Sequence, residues 1–183
     1  CTVIFKNGDE VISEVQGKYG QLVDVPDGNA LSAPFGYEFD SWQDADGNVA
    51  VNGQTVFKSD TVYSAHWVLT SPSMPTVKGN LNVVYGQSVE LSADVDDKID
   101  GVDYTYEWYV SGKKVADGKD VSISNLACGT YYVRCSAYAT KGTDKSYPAN
   151  KTVTVFVQKA TLSVTISTIN VKYGDSLPSY AFE

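Results

Sequence analysis

The chain has 183 residues, 43% of them hydrophobic, which provides for buried cores and argues against disorder. It carries 14 basic and 22 acidic residues, a net charge of -8, and a surface of that sign repels a phosphate backbone and an anionic membrane alike. No run of about 18 apolar residues occurs, so membrane insertion of this segment is not expected.

The elements predicted in chain order are short antiparallel strands. Polar and apolar residues alternate, and turn pairs punctuate them: Asn7-Gly8, Asp27-Gly28, Asp46-Gly47, Asn52-Gly53, Ser111-Gly112 and Asp117-Gly118. The first strand is Val3-Ile4-Phe5, followed by Gly20-Gln21-Leu22-Val23. A short helix is predicted around Gly28 to Ala33, between Pro26 and Pro34. Aromatic strands follow at Gly36–Trp42 and Tyr63–Trp67. In so small a unit the aromatics Tyr37, Phe39, Trp42 and Trp67 are expected to form the core, because bulky rings bury most area per residue. His66 is expected to face solvent.

Thr70-Ser71-Pro72-Ser73-Met74-Pro75 reads as a semi-rigid linker. Beyond it, strands are predicted at Ser88–Ala93, Tyr104–Val110, Val121–Leu126, Gly129–Cys135 and Thr152–Val157. Trp108 should point inward with Tyr106 and Val110. A further strand is predicted at Leu162–Ser167, after a second boundary near Gln158-Lys159-Ala160. An internal repeat supports this division: Asn82-Val83-Val84-Tyr85-Gly86-Gln87-Ser88 returns as Asn170-Val171-Lys172-Tyr173-Gly174-Asp175-Ser176. The units are 1–69, 70–159 and 160–183. The strand-like opening and the abrupt close read as boundaries within a longer protein.

The order and spacing of Val3–Gly8, Gly20–Val23, Gly36–Trp42 and Tyr63–Trp67 resemble the internalin-type B-repeat (Listeria-Bacteroides repeat). That resemblance implies a β-grasp-like fold of one sheet and a short helix, used in tandem on bacterial surfaces. Asp9 and Ser64 depart from the family pattern. Trp108 followed by Gly129-Thr130-Tyr131 resembles an immunoglobulin-like β-sandwich of bacterial type, with Tyr131 as a tyrosine corner. Its inter-sheet disulfide is replaced, with Val133 in one slot and Leu91 or Ala93 in the other. Residues 160–178 resemble the opening of an MBG-type repeat. The expected fold class is thus mainly β: a β-grasp-like repeat, an immunoglobulin-like sandwich and a truncated third β module.

Site chemistry is sparse. Three cysteines, Cys1, Cys128 and Cys135, make no even disulfide framework and are expected to be free. One histidine gives a transition metal little to bind. The acidic loop Asp94–Asp103 and the turn Asp44–Asn48 are weighed as Ca²⁺ ligands, but their spacing fits a solvated turn better. No metal and no cofactor is expected. A crosslink between Lys151 and Asn150 is conceivable, given a buried lysine beside an acid. The outward face of the second unit offers Tyr109, Tyr132, Arg134 and Tyr138, the last three on one strand, and Arg134 is the only arginine. These four are the candidate ligand-binding residues, for an extracellular glycan or protein; the bland alternative is cross-strand pairing.

No catalytic constellation is present, so the chain is not expected to be an enzyme. The expectation is a non-catalytic stalk or adhesion segment of an extracellular, bacterial cell-surface protein that touches neighbouring domains of its own chain. The alternatives are a glycan- or protein-binding module and an accessory domain of a secreted carbohydrate-active enzyme.

Overall fold

The computed structural model describes residues 1–164 and 172–174, and they are nearly all β. The first unit is one five-stranded sheet in the order β2-β1-β5-β3-β4, built from β1 (Thr2–Asn7), β2 (Glu10–Gln16), β3 (Tyr37–Gln43), β4 (Val49–Ala50) and β5 (Thr61–Leu69). β1 and β5 lie parallel at its centre, and the other pairs are antiparallel. Parallel register sets Phe5 beside Tyr63, with the two rings stacked at 5.5 Å. Trp42 meets Phe5 edge-on at 5.2 Å. Val3, Val23, Phe57 and Ala50 complete this buried cluster.

One irregularity makes the aromatic packing possible. Pairing between β3 and β5 steps from Phe39↔Trp67 to Ser41↔His66, leaving Asp40 as an extra residue. Side chains alternate faces along a strand, so residues three apart normally point opposite ways. The bulge restores Phe39 and Trp42 to one face, where their rings meet at 5.4 Å. Trp67 packs on Phe39 at 5.8 Å and donates its indole N–H to Asn7. Of the four aromatics expected in this core, only Trp42 is fully buried. Phe39 and Trp67 are half-buried, and Tyr37 turns to the second unit, because the sheet ends there and the next unit begins.

The expected helix at Gly28–Ala33 is reduced to a single 3₁₀ turn, Gly28–Ala30, capped by the Asp27 carboxylate. Glycine and asparagine are weak helix formers, and Pro34 disfavours the helical region at Ala33. The segment covers the sheet as irregular chain: Val23 is buried, Pro26 O accepts the Trp42 indole N–H at 2.8 Å, and Gly28 lies flat against the Phe39 ring.

The second unit is a sandwich. One sheet, β10-β9-β12-β14-β7, comprises β7 (Asn82–Val84), β9 (Asp103–Val110), β10 (Lys113–Asp117), β12 (Gly129–Lys141) and β14 (Ala149–Gln158), with the short β13 (Asp144–Lys145) on β12. The other, β11-β8-β6, comprises β6 (Thr76–Gly79), β8 (Val89–Asp94) and β11 (Asp120–Ile123). Alternation along β12 sends Val133, Cys135, Ala137 and Ala139 inward, against Trp108, Tyr106, Leu91 and Ala93. Trp108 is wholly buried and donates to Gly118 O at 2.9 Å, so its one polar group is satisfied. Tyr131 donates to Ala127 O, four residues upstream, at 3.1 Å. The expected positions of the absent disulfide are filled by apolar side chains that need no covalent tie.

The linker is not free. Pro72 and Pro75 are buried, and the two units meet through reciprocal polar contacts. Tyr37 of the first donates to Asp144 of the second at 2.7 Å, and Tyr147 of the second donates to Asp40 of the first at 3.1 Å. The Lys141 ammonium lies 5.6 Å from the Tyr37 ring centre.

Past β14, the predicted strand at Leu162–Ser167 is not formed in its described part: Leu162 and Val164 are exposed and outside any sheet. No described strand lies beside them to complete a ladder. The rest of that strand, and the body of the expected MBG-type opening, lie outside the described residues. The repeat does share its turn. Gly86 and Gly174 both take positive φ, 91° and 99°, which the lack of a Cβ permits.

Replacing Gly28 by alanine would drive a methyl into the Phe39 ring. The expected loss is about 1–3 kcal/mol of stability, read by urea denaturation; an unchanged midpoint would show that this ring moves freely.

Candidate functional site

The outward face of the larger sheet is set by register. On β9 it presents Glu107 and Tyr109, on β12 Tyr132, Arg134, Ser136 and Tyr138, and on β14 Asn150, Thr152, Thr154 and Phe156. The four residues expected from sequence all lie here, but the structure divides them.

Three of them belong to one network centred on Glu107. The Arg134 guanidinium stacks 4.3 Å over the ring of Tyr109, its direct cross-strand partner. Tyr109 and Tyr138 both donate to Glu107 Oε2, at 2.7 and 3.1 Å. Lys114 and Lys145 approach Glu107 Oε1, each at 3.3 Å, and Lys145 also sits 3.6 Å from the Tyr138 ring centre. The Tyr109 hydroxyl, together with the lysines and Tyr138, overrides the opposing effect of burial and pulls the Glu107 carboxyl down to about 2. In return, the carboxylate raises the Tyr109 hydroxyl. Burial and Glu107 together raise Tyr138. Every charge in this cluster has a partner within the protein, so Tyr109, Arg134 and Tyr138 pair across strands in the manner of a stabilised sheet.

Tyr132 stands apart. It is 62% exposed, opposite Thr154, and the ring contacts of the network do not reach it. Phe156, diagonal to it on β14, is 46% exposed. Sequence reading passed over Phe156 because Thr152–Val157 showed only alternation. The signal was its phase: Val155 and Val157 face inward, which places Phe156 outward.

Other candidates resolve as follows. In the acidic loop, Asp94 accepts from Lys119 and forms an ion pair with Lys98, contacts that hold its carboxyl well below the usual carboxylate range. A groove of about 520 Å³ runs here between the 95–102 loop and β10, and Asp94 enters it already neutralised. In the Asp44–Asn48 turn, Asp44 accepts from the backbone N–H of Asp46 and Asn48 and from the Asn48 amide, an Asx-type turn closed on itself. Among the described residues no group of three or more His, Cys, Asp and Glu side chains is placed to hold a metal. Lys151 and Asn150 point to opposite faces of β14: Asn150 accepts from Ser136 on the outer face, while Lys151 pairs with inward-facing Cys135. A crosslink between them is incompatible with the strand geometry. His66 is exposed as expected, but it is not idle: its Nδ1 lies 3.2 Å from Asp40.

The three cysteines are free, Cys1 and Cys128 exposed and Cys135 buried. No family model matches the chain, and comparison with curated proteins returns no match.

Two outcomes are expected. Burial pushes the Cys135 thiol up to about 12, so a thiol reagent at neutral pH should label two cysteines of the native protein, with the third reacting only after unfolding. Native labelling of all three would place Cys135 outside the core. Because the Glu107 carboxyl is lower in the folded than in the unfolded chain, it contributes stability that is complete above about pH 4.5 and is lost as pH falls toward 2. Glu107→Gln should remove that part of the acid dependence, on the order of 1 kcal/mol once solvent screening is allowed for. Parallel stability curves for the two proteins from pH 6 to 2 would contradict it.

Proposed function

We propose that this segment is a spacer in an extracellular bacterial surface protein, in which β modules set end to end hold a distal region away from the envelope. The observation that carries the reading is the reciprocal junction. Each unit supplies one tyrosine and one aspartate to the other, and the prolines between them are buried. A linker built for free motion would be exposed and polar. The resemblances to a B-repeat, an immunoglobulin-like domain and an MBG-type opening support the same reading. So do the central parallel pair of the first sheet and the upstream-reaching Tyr131 of the sandwich.

The sheet edges suit a module that must not pair with its neighbours side by side. β2 carries an extra residue at Ile12, where the register steps from Phe5↔Ser13 to Lys6↔Val11, and β10 is irregular between Lys114 and Ala116. Bulges and charges of this kind turn an edge away from a further strand.

Small-angle scattering tests the proposal. The wild-type chain should give a narrow distribution of interunit distances. The double variant Tyr37→Phe, Tyr147→Phe should broaden it while each unit keeps its own melting transition within about 2 °C. A wild-type chain that already behaves as two freely jointed units would end the spacer reading.

A further inference from the structure

We infer that the sandwich binds an extended basic peptide in the groove beside β9, pairing it to an open strand edge at Tyr104. The inference goes beyond the spacer reading and does not depend on it, since a spacer can carry such a groove or lack it.

The edge is open because β10 is shorter than β9. Their ladder ends at Asp117↔Glu107. Gly118, at φ 111°, turns the chain toward β11 in the other sheet, while its N–H still reaches Tyr106 O at 2.9 Å. Tyr104 lies beyond that last bond. Opposite it on β12 stands Ala139, whose N–H donates to Ser146 Oγ and whose carbonyl accepts from the Ser146 N–H, both at 2.9 Å. Backbone groups alternate sides along an antiparallel strand, so those of Tyr104 point away from β12, to the side that β10 has left. Among the described residues neither the N–H nor the carbonyl of Tyr104 has a hydrogen-bond partner. They open into the groove of about 520 Å³, which Val102, Tyr104, Tyr106 and Gly118 line beside Asp94 and Lys119.

The groove is preformed. Its wall, the 95–102 loop, is held to β9 by the Ile99 N–H, which donates to the Tyr104 hydroxyl at 2.8 Å. The same loop lies against the first unit, where a β-carbon at Gly36 would stand 3.7 Å from Ile99 and 3.8 Å from Val102. A free donor and a free acceptor on one strand residue are matched by an extended backbone, which presents the complementary pair at the same spacing. The irregularity in β10 guards the edge that β10 itself presents, and the open segment lies past it. Charge selects the peptide. Asp96, Asp97, Asp100 and Asp103 stand exposed along the wall, and none forms an ion pair among the described residues. The groove's own lysines, Lys98 and Lys119, are both committed to Asp94. Basic side chains on the peptide therefore meet unneutralised carboxylates, and acidic ones meet repulsion. Side chains alternate along an extended peptide, so the residues between the basic ones turn to Val102 and Tyr104.

The test is fluorescence anisotropy of labelled hexapeptides on the whole chain. One alternates lysine and valine, one alternates glutamate and valine, and one is the lysine peptide N-methylated at every peptide nitrogen. The expected result is saturable binding of the first, weakened by salt, with about a tenfold loss for each of the others. In amide exchange followed by NMR, the first peptide should slow the Tyr104 N–H on the order of tenfold. The double variant Asp100→Asn, Asp103→Asn should weaken binding about threefold, and a melting temperature close to wild type confirms that it is folded. The double variant Glu10→Gln, Glu14→Gln removes the same charge from exposed positions on the first unit and should leave binding unchanged. No saturable binding overturns the inference, as does equal binding of the glutamate or the N-methylated peptide. So does an unmoved Tyr104 amide, or equal weakening by the two double variants. Protection of Tyr104 that grows with protein concentration alone would assign the groove to a second copy of the chain and overturn it too.

Discussion

A single extra residue in β3 governs much of this molecule. The bulge at Asp40 returns Phe39 and Trp42 to one face, and on that alignment the aromatic core of the first unit depends. The same bulge turns the Asp40 carboxylate out of the ladder toward three donors. Ser41 and Tyr147 donate to it at 2.8 and 3.1 Å, and His66 lies beside it at 3.2 Å. Burial works to raise this carboxyl, but the hydrogen bonds outweigh burial and hold it below the ordinary range. Core packing in one unit and contact with the next therefore share one backbone feature.

The second unit solves its stability differently. It has no disulfide and relies on inward alternation around Trp108, whose indole N–H is satisfied by Gly118 O. Its outer face is tied by a charged hub, Glu107. A hub of this kind is strong because several partners converge on one partly shielded carboxylate, whereas isolated surface pairs contribute little.

The junction explains why a chain of small β units need not behave as beads on a string. Tyrosine and aspartate are exchanged in both directions, so loss of one contact still leaves the other. Both tyrosine hydroxyls are raised above their ordinary value by the carboxylates that accept their hydrogen bonds.

Composition and alternation by themselves determined the mainly-β class, the inward Trp108 and Cys135, the solvent-facing His66 and the shared outer face of Tyr109, Tyr132, Arg134 and Tyr138. These follow from a period of two, which is local and needs no knowledge of partners. Register was beyond that reading, because which residue stands opposite which depends on strands far apart in the chain. Only the tertiary structure placed Glu107 beneath two tyrosines, separated Tyr132 from the other three, and set Phe156 beside it. Only it showed that Tyr37 leaves the core for Asp144, and that one 3₁₀ turn with irregular chain covers the first sheet where a helix was expected. Bulges and long-range side-chain exchange arise from how elements meet, and a one-dimensional pattern carries no signal of that meeting.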